Sequence, residues 1–398
     1  MLNAPILLAG LATAALLLWP PVARSRLWRA TITPLASIIG SGFLVLGPIL
    51  QHSYGHDAPL VMAVLCATAY AFGHVIRYNI TMRMEGPGGR SPAEERLELL
   101  ASWALSFAYV ISVAYYLNLF GAFAVSLTPY QGAANGRIVT TAVFAAILAT
   151  GWMRGFHALE RMEQVSVGLK LAVIAAMIAG LAFFFARRLG GAGLIVEPPH
   201  LTGWPALTLA FGLVVTVQGF ETARYLGAEY DARTRRRAMR LAQAISSAIY
   251  LVYIGLVAFL FRTADTQLTE TAIIDMMRAV APVLPLLLVV AALAAQFSAA
   301  VADTGGAGGL VAELTGGRVT VRGAYAALVA AGVTLTWASD IFALIAYASR
   351  AFALYYTLQA AIAAVAAHRH GASPPRAAAY GALALLGLAM AIFGTPVE

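Results

Sequence analysis

Charge is scarce in this chain: 11% of its 398 residues are Asp, Glu, Lys or Arg, against about 25% in an ordinary soluble domain. With 61% of the residues hydrophobic, a water-soluble core is excluded. Cysteine is nearly absent. Cys66, the single one, sits in an apolar run, so there is no disulfide framework and no redox compartment to read from it. The seven histidines show no metal-ligand spacing on a helix, and His368 and His370 lie together in a basic loop. There is no nucleotide-binding glycine loop and no Ser or Cys triad pattern. No enzymatic activity, metal or cofactor is therefore expected. The net charge of +8 does not point to nucleic acid, because the bases are scattered over short loops rather than gathered on one face.

What the chain does contain is long apolar runs without alternation. A membrane helix needs about 20 mainly apolar residues, whereas a barrel strand needs about ten alternating ones. Uncharged runs lie near 3–22, 30–50, 59–76, 99–127, 138–153 and 165–186, and again near 204–220, 241–261, 280–304, 323–339, 341–367 and 377–395. An all-α integral membrane protein with about twelve transmembrane helices is predicted. The first run has a signal peptide's length, but Arg24 is the first charge and no small-residue cleavage site follows Pro20-Pro21, so it is read as an uncleaved helix. The longest polar stretch, Arg77 to Glu98, is read as a loop turning at Gly86-Pro87-Gly88-Gly89.

Alternate loops carry very different numbers of bases. Twenty fall on one side, from Arg24 to Arg29, Arg77 to Arg96, Arg154 to Lys170, Arg224 to Arg240, Arg318 with Arg322, and Arg369 with Arg376. Five fall on the other side, Arg137, Arg187, Arg188, Arg262 and Arg278, and Arg350 is left inside a span. The positive-inside rule makes the first side cytoplasmic. With twelve spans both termini are then extracytoplasmic, in a multi-pass protein of the cell's inner (plasma) membrane.

Helix-breaking residues at membrane depth are tolerated only where the freed backbone is buried in protein or lines a cavity. Two spans contain such breaks. The first is Ile38-Ile39-Gly40-Ser41-Gly42-Phe43 and the second is Thr216-Val217-Gln218-Gly219-Phe220-Glu221-Thr222. The first admits close helix packing as a reading, and the second a plain helix terminus. Their spacing is more informative: one opens a block of five spans over 30–186 and the other a block over 204–367. An odd number of spans per block inverts the second relative to the first. Broken helices at corresponding positions of inverted halves point to a transporter's midplane site. The expected organisation is an extra N-terminal helix with a basic loop (1–29), the first repeat (30–186), an extracytoplasmic connection (187–203), the second repeat (204–367), and a loop with a C-terminal helix (368–398).

The residues Gly40-Ser41-Gly42 resemble the first core helix of the amino acid-polyamine-organocation (APC) transporter superfamily. Gly219-Phe220-Glu221-Thr222-Ala223, followed by Ala228-Glu229-Tyr230-Asp231-Ala232-Arg233, is similar to its sixth core helix and exit. Gly155-Phe156 through Gln164 to Gly168-Leu169-Lys170-Leu171 is similar to the approach to its fifth. The resemblance covers about 340 residues and identifies no subfamily. It implies a LeuT-like 5+5 inverted repeat with broken first and sixth core helices, and symport of a small molecule. Two departures stand out: Asp303-Thr304-Gly305-Gly306-Ala307-Gly308-Gly309 replaces a serine- and arginine-rich exit, and Arg90-Ser91-Pro92-Ala93-Glu94-Glu95 replaces aromatics.

Chemistry assigns roles to particular residues. N–H groups at the start of a half-helix and its dipole favour negative charge, so Ser41 and Gly42 suit a substrate carboxylate. Carbonyls at Val217, Gln218 and Gly219 suit an ammonium. Ile39, Gly40, Ser41, Gly42, Thr216, Val217, Gln218, Gly219 and Phe220 are the candidate substrate site, with Tyr109 either packing or closing over a ligand. Lys170 is the only lysine beside 25 arginines. Arginine does not give up its proton, whereas a buried lysine does. Lys170 and Asp303 are read as a proton-coupling ion pair; in proton-coupled relatives a fifth-helix lysine replaces a sodium ion. Alternatively Lys170 snorkels and Asp303 marks a wet helix end, or Asp303 with Ser298 and Thr304 supplies hard oxygen ligands for sodium. Glu221 and Arg350 are the candidate gating residues, with Glu221, Asp303 or the substrate as partner for Arg350. The expected partners are thus an amine-bearing small molecule, a proton rather than sodium, and the lipid bilayer. The rival reading is a sensor or channel of the same fold without coupled transport. Oligomeric state is not legible.

Overall fold

The computed structural model describes residues 3–85, 89–154, 157–191, 193–262 and 268–397, excluding the side chains of Ser41, of 84 and 85, of 153–165 and of 228. The predicted turn at Gly86 to Gly88, the Gly155-Phe156 pair and the side chains of Ser41 and Gln164 lie outside the described residues.

The chain is helical throughout, with no strand among the described residues. Helix α1 is Asn3–Leu18, and the short α2, Pro20–Ala23, starts at the double proline. The first broken rod comprises α3 (Arg26–Ser41) and α4 (Phe43–Tyr54), followed by α5 (Ala58–Glu85), α6 (Pro92–Val125), α7 (Ala133–Arg154) and α8 (His157–Leu189). The second broken rod begins with α9 (Gly203–Gly212) and continues as 3₁₀ turns over Val214–Val217 and Phe220–Ala228. It is followed by α10 (Ala232–Val257), α11 (Ala272–Val280), α12 (Leu284–Leu314), α13 (Val321–Ala338), α14 (Ile341–Arg369) and α15 (Pro374–Phe393). Among the described residues nine stretches are long and apolar enough to cross a membrane. One of them, Phe43–Arg83, contains the turn at Gly55–Asp57 that divides α4 from α5.

Several helix starts are set by side-chain caps, which satisfy N–H groups that a helix cannot satisfy itself. Ser25 caps α3, Asp231 caps α10, Thr320 caps α13 and Asp340 caps α14. At α6, Ser91 and Glu94 form a reciprocal capping box.

Packing repeats under exchange of the two halves. Helix α6 lies on α7 as α12 lies on α13, and α6 lies on α14 as α12 lies on α8. The pairs α6 with α12, α5 with α10, and α7 with α13 each join a rod to its own counterpart. That is the contact pattern of the LeuT-like 5+5 inverted repeat. Helices α1 and α15 pack on α8 and α14.

Hydropathy misjudged two regions and left a third, the glycine run at 305–309, open between a helix end and a helix continuing to about Glu313. The polar stretch Arg77 to Glu98 is mostly helix, because α5 runs to Glu85 and α6 starts at Pro92; charge ends an apolar run without ending a helix. Arg77 is buried there and donates to Gln243 of α10 at 2.5 Å. Helix α11, nine residues long, was too short to register. The glycine run at 305–309 is continuous α-helix inside α12: Gly306 faces the Tyr109 ring, and Gly308 faces Tyr325.

Close approach through small residues holds the α6–α7 contact. A side chain on Gly121 would overlap the Gly136 carbonyl and the Thr140 hydroxyl. Gly121→Val is expected to destabilise the protein by about 1–3 kcal/mol through overpacking. Gly381→Val, whose position on α15 faces open space, is expected to leave the thermal midpoint of the purified protein in detergent unchanged.

Candidate functional site

The two breaks meet. Helix α3 ends at Ser41, Gly42 is non-helical (φ −126°, ψ −7°), and α4 begins at Phe43. The second break is longer. Helix α9 ends at Gly212, Leu213 leaves the helix, Gln218 is extended, and Gly219 adopts φ 115°, a conformation open mainly to glycine. A side chain on Gly42 would overlap Thr216, and one on Gly219 would overlap the Ser37 hydroxyl. Each break is therefore seated on the rod that contains the other.

A backbone group freed at membrane depth must find a partner, and side chains from four other helices supply them. The Tyr250 hydroxyl of α10 lies 3.0 Å from the Ile38 carbonyl and 2.6 Å from the Thr216 carbonyl, bridging the breaks. Gln296 of α12 donates to the Gly40 carbonyl at 3.0 Å. Ser349 of α14 donates to the Gly212 carbonyl at 2.7 Å and accepts the Val215 N–H at 2.9 Å. Lys170 of α8 donates from Nζ to the Ala36 carbonyl at 2.9 Å. Its ammonium also lies 3.3 Å from where a Cβ on Gly40 would stand, near the negative end of the α3 dipole.

Ile39, Thr216, Val217, Gln218, Phe220, Glu221 and Tyr109 are all buried, so the junction is shut from solvent. Gln218 donates from Nε2 to the Tyr116 hydroxyl at 3.2 Å, and its Oε1 has no hydrogen-bond partner among the described residues. Phe220 stacks on Tyr356 with ring centroids 5.3 Å apart. Glu221, fully buried, accepts from the Gly219 N–H at 3.0 Å and from the Tyr356 hydroxyl at 2.9 Å on Oε2, while Oε1 is unpartnered among the described residues. Tyr109 meets Phe352 edge-on at 6.1 Å. Asp303 is buried within α12 rather than at a helix end, and accepts a hydrogen bond from Ser112 of α6.

Arg350 does not take the place expected of it. Its side chain is exposed, and its Nε donates to the Ala391 carbonyl of α15 at 2.8 Å, so it pairs with neither Glu221 nor Asp303. The helix phase of α14 decides this: Ser349, one position earlier, faces the break, which turns Arg350 outward. An ion-pair cluster that the loop reading missed lies at the other end of the molecule. Arg224, in the second half of the broken rod, is buried and pairs with Glu98 of α6, which also takes Arg90 at 3.3 Å. Arg235 donates to the Arg224 carbonyl at 2.6 Å, and Arg369 of α14 pairs with Glu94.

Tyr250, Gln296, Ser349, Ser112 and Tyr356 were not singled out from sequence. Gln296 stands alone among apolar residues from 284 to 297, and an isolated amide in such a run is the kind of signal that could have found it.

Known proteins align with this architecture. A protein of unassigned function from Aquifex aeolicus (strain VF5) is 42% identical over 350 residues, covering 86% of this chain and 85% of its own. A solved Na⁺-coupled sialic acid symporter, in a substrate-bound outward-open state, superposes with a TM-score of 0.52 over 99% of this chain and 97% of its own, at 14% identity. The profile of a transporter family of the APC superfamily matches residues 20–394, and the chain belongs to that family.

Proposed function

We propose that the chain is a secondary transporter of a small amino acid or related amine-bearing metabolite, driven by protons and working by rocking of its two repeats about the junction of the breaks. The convergence of the two breaks carries this reading. One brings the start of α4, with first-turn N–H groups, and the other brings the carbonyl-rich segment 213–219 with the Gln218 amide. Donors from one rod and acceptors from the other form a pair suited to a carboxylate and an ammonium. By the positive-inside rule the end holding Arg224, Glu98, Arg90 and Arg369 is cytoplasmic, in the cell's inner membrane.

Lys170 supports protons over sodium. Its ammonium already sits on the Ala36 carbonyl, supplying a positive charge where an added cation would meet repulsion. Lysine, unlike arginine, can give up its proton, and loss of the charge would weaken the hold of α8 on α3. Asp303 is the proposed second member of that relay. The sodium-driven reading draws on Asp303, Ser298 and Thr304 as oxygen ligands, and one arm of the uptake experiment below tests it.

Uptake of an amino acid and amine panel into proteoliposomes is expected for at least one substrate, rising with an inward proton gradient and indifferent to a sodium gradient. No uptake across the panel would favour a sensor or channel, and a sodium requirement would transfer the coupling to Asp303. Lys170→Arg keeps the charge and removes the releasable proton; gradient-driven uptake is expected to fall by about a hundredfold, the scale of losing a positioned proton carrier, and undiminished uptake would remove Lys170 from the mechanism.

Opening towards the arginine-rich end requires Arg224 to leave Glu98. Stranding one partner of a buried ion pair costs about 3–5 kcal/mol, so Arg224→Gln is expected to favour the open form. In a Cys66→Ala background, maleimide labelling of Ser106→Cys, buried on α6 between Glu98 and Tyr109, is expected to rise about tenfold or more. The exchange Arg224→Glu with Glu98→Arg is expected to restore protection.

A further inference from the structure

Arg350 is left unused by the transport site, and it opens onto a cavity of about 600 Å³ at the arginine-poor end of the molecule. The walls come from the last turn of α4 (His52, Ser53), the segment before α9 (His200), α9 itself (Trp204, Thr208), α14 (Arg350) and the residues after α15, including Thr395. Every titratable side chain on these walls is a base. The His52 and His200 rings stand 5.4 Å apart, edge to face. Among the described residues the lining contains no carboxylate; Glu197 lies outside it, holds His56 through its backbone carbonyl and has its carboxylate near enough to act on His52.

The placement of Arg350 is costly unless something anionic or aqueous meets it. It stands nine positions after Ile341, about 14 Å along α14 at 1.5 Å per residue, and an arginine within a span must meet a cavity or a partner. Guanidinium has five N–H donors, of which Nε is held by the Ala391 carbonyl. That bond takes only Nε and leaves the two terminal nitrogens as donors without a partner among the described residues. Thr395 fixes the opposite wall, with its N–H on the Thr208 carbonyl at 3.0 Å and its hydroxyl 3.3 Å from that of Thr208. A fixed guanidinium, two imidazoles and the Ser53 hydroxyl make a donor set for a compact oxyanion, whereas the Thr208 hydroxyl donates to the Pro205 carbonyl and that of Thr395 to Thr208.

We propose that this cavity binds an oxyanion, a carboxylate or a phosphate, on the terminal nitrogens of Arg350 with His52 and His200 beside it. The source is a soluble anion or the phosphate of a lipid headgroup. The site is separate from the junction of the breaks. It joins α4 and α9, one half of each broken rod, to α14, so an occupant bridges the two broken rods to a continuous one.

Trp204 lies in the wall and reports occupancy through its fluorescence, isolated by subtracting Trp204→Phe. Purified full-length protein in detergent is titrated with inorganic phosphate and with succinate at constant ionic strength. In parallel, the protein in phosphatidylcholine nanodiscs is compared with nanodiscs containing phosphatidylglycerol. A saturable change with phosphate or succinate, weakened at least about tenfold in Arg350→Gln, supports a soluble oxyanion. A change confined to phosphatidylglycerol and lost in Arg350→Gln supports a headgroup phosphate. Should Arg350→Gln fail to fold, His200→Gln, altered at an exposed side chain, is expected to weaken binding severalfold. Absence of a saturable change with all three probes, or binding unaltered in these variants, overturns the proposal.

Discussion

An interrupted helix in a hydrocarbon layer must have its freed N–H and C=O groups satisfied by protein, at a cost of several kcal/mol for each that is not. The structure is organised around that constraint. Tyr250, Gln296, Ser349 and Lys170 come from four helices, α10, α12, α14 and α8, and each terminates on a carbonyl of a broken rod. Gly42 and Gly219 then let the two rods touch where any side chain would hold them apart. The first break depends on the opposite repeat, which supplies Tyr250 and Gln296, whereas the second takes Tyr250 and Ser349 from its own repeat and meets the first through Gly42 and Thr216.

The same arrangement separates groups by the motion they can report. Lys170 ties α8 to α3, and Arg224 ties the second broken rod to α6 through Glu98. Both contacts cross from a broken rod to a continuous one. Glu221 is bonded to Tyr356 of α14 and to its own Gly219 N–H, with one oxygen unpartnered among the described residues. A buried carboxylate with no cationic side chain beside it among the described residues is a group that a proton or a substrate amine stabilises. Rocking of one bundle against the other is the fold's expected motion, and these three side chains stand where it would be felt.

Much of this was legible in the sequence, for definite reasons. Long uncharged runs translate directly into rods, and the glycines at 40, 42 and 219 mark where rods fail, because hydrocarbon leaves the backbone few alternatives. What stayed hidden was helix phase and helix extension. Arg350 sits one residue beyond Ser349, and that single step of rotation sends it to α15 instead of the break. Glu98 and Arg224 looked like loop charges, yet α6 and the 3₁₀ turn bring both to one contact. Tyr250 is one of several tyrosines in an apolar run, and only the tertiary arrangement separates it from Tyr253. The glycine run at 305–309 admitted a helix end or a continuing helix, and it serves as a packing face for Tyr109 and Tyr325.

The central claim is that the joined breaks form the ligand site, and a thermal-stability screen of amine-bearing metabolites on the purified protein tests it most directly. A ligand that binds the folded state raises its melting temperature, adding about 2.7 kcal/mol of stability at a free concentration a hundredfold above Kd. At least one amino acid or amine is expected to stabilise the protein, and Gly42→Val, which fills the junction against Thr216, is expected to abolish that response. Stabilisation that survives intact in a folded Gly42→Val protein, or none from any amine-bearing compound, would contradict it.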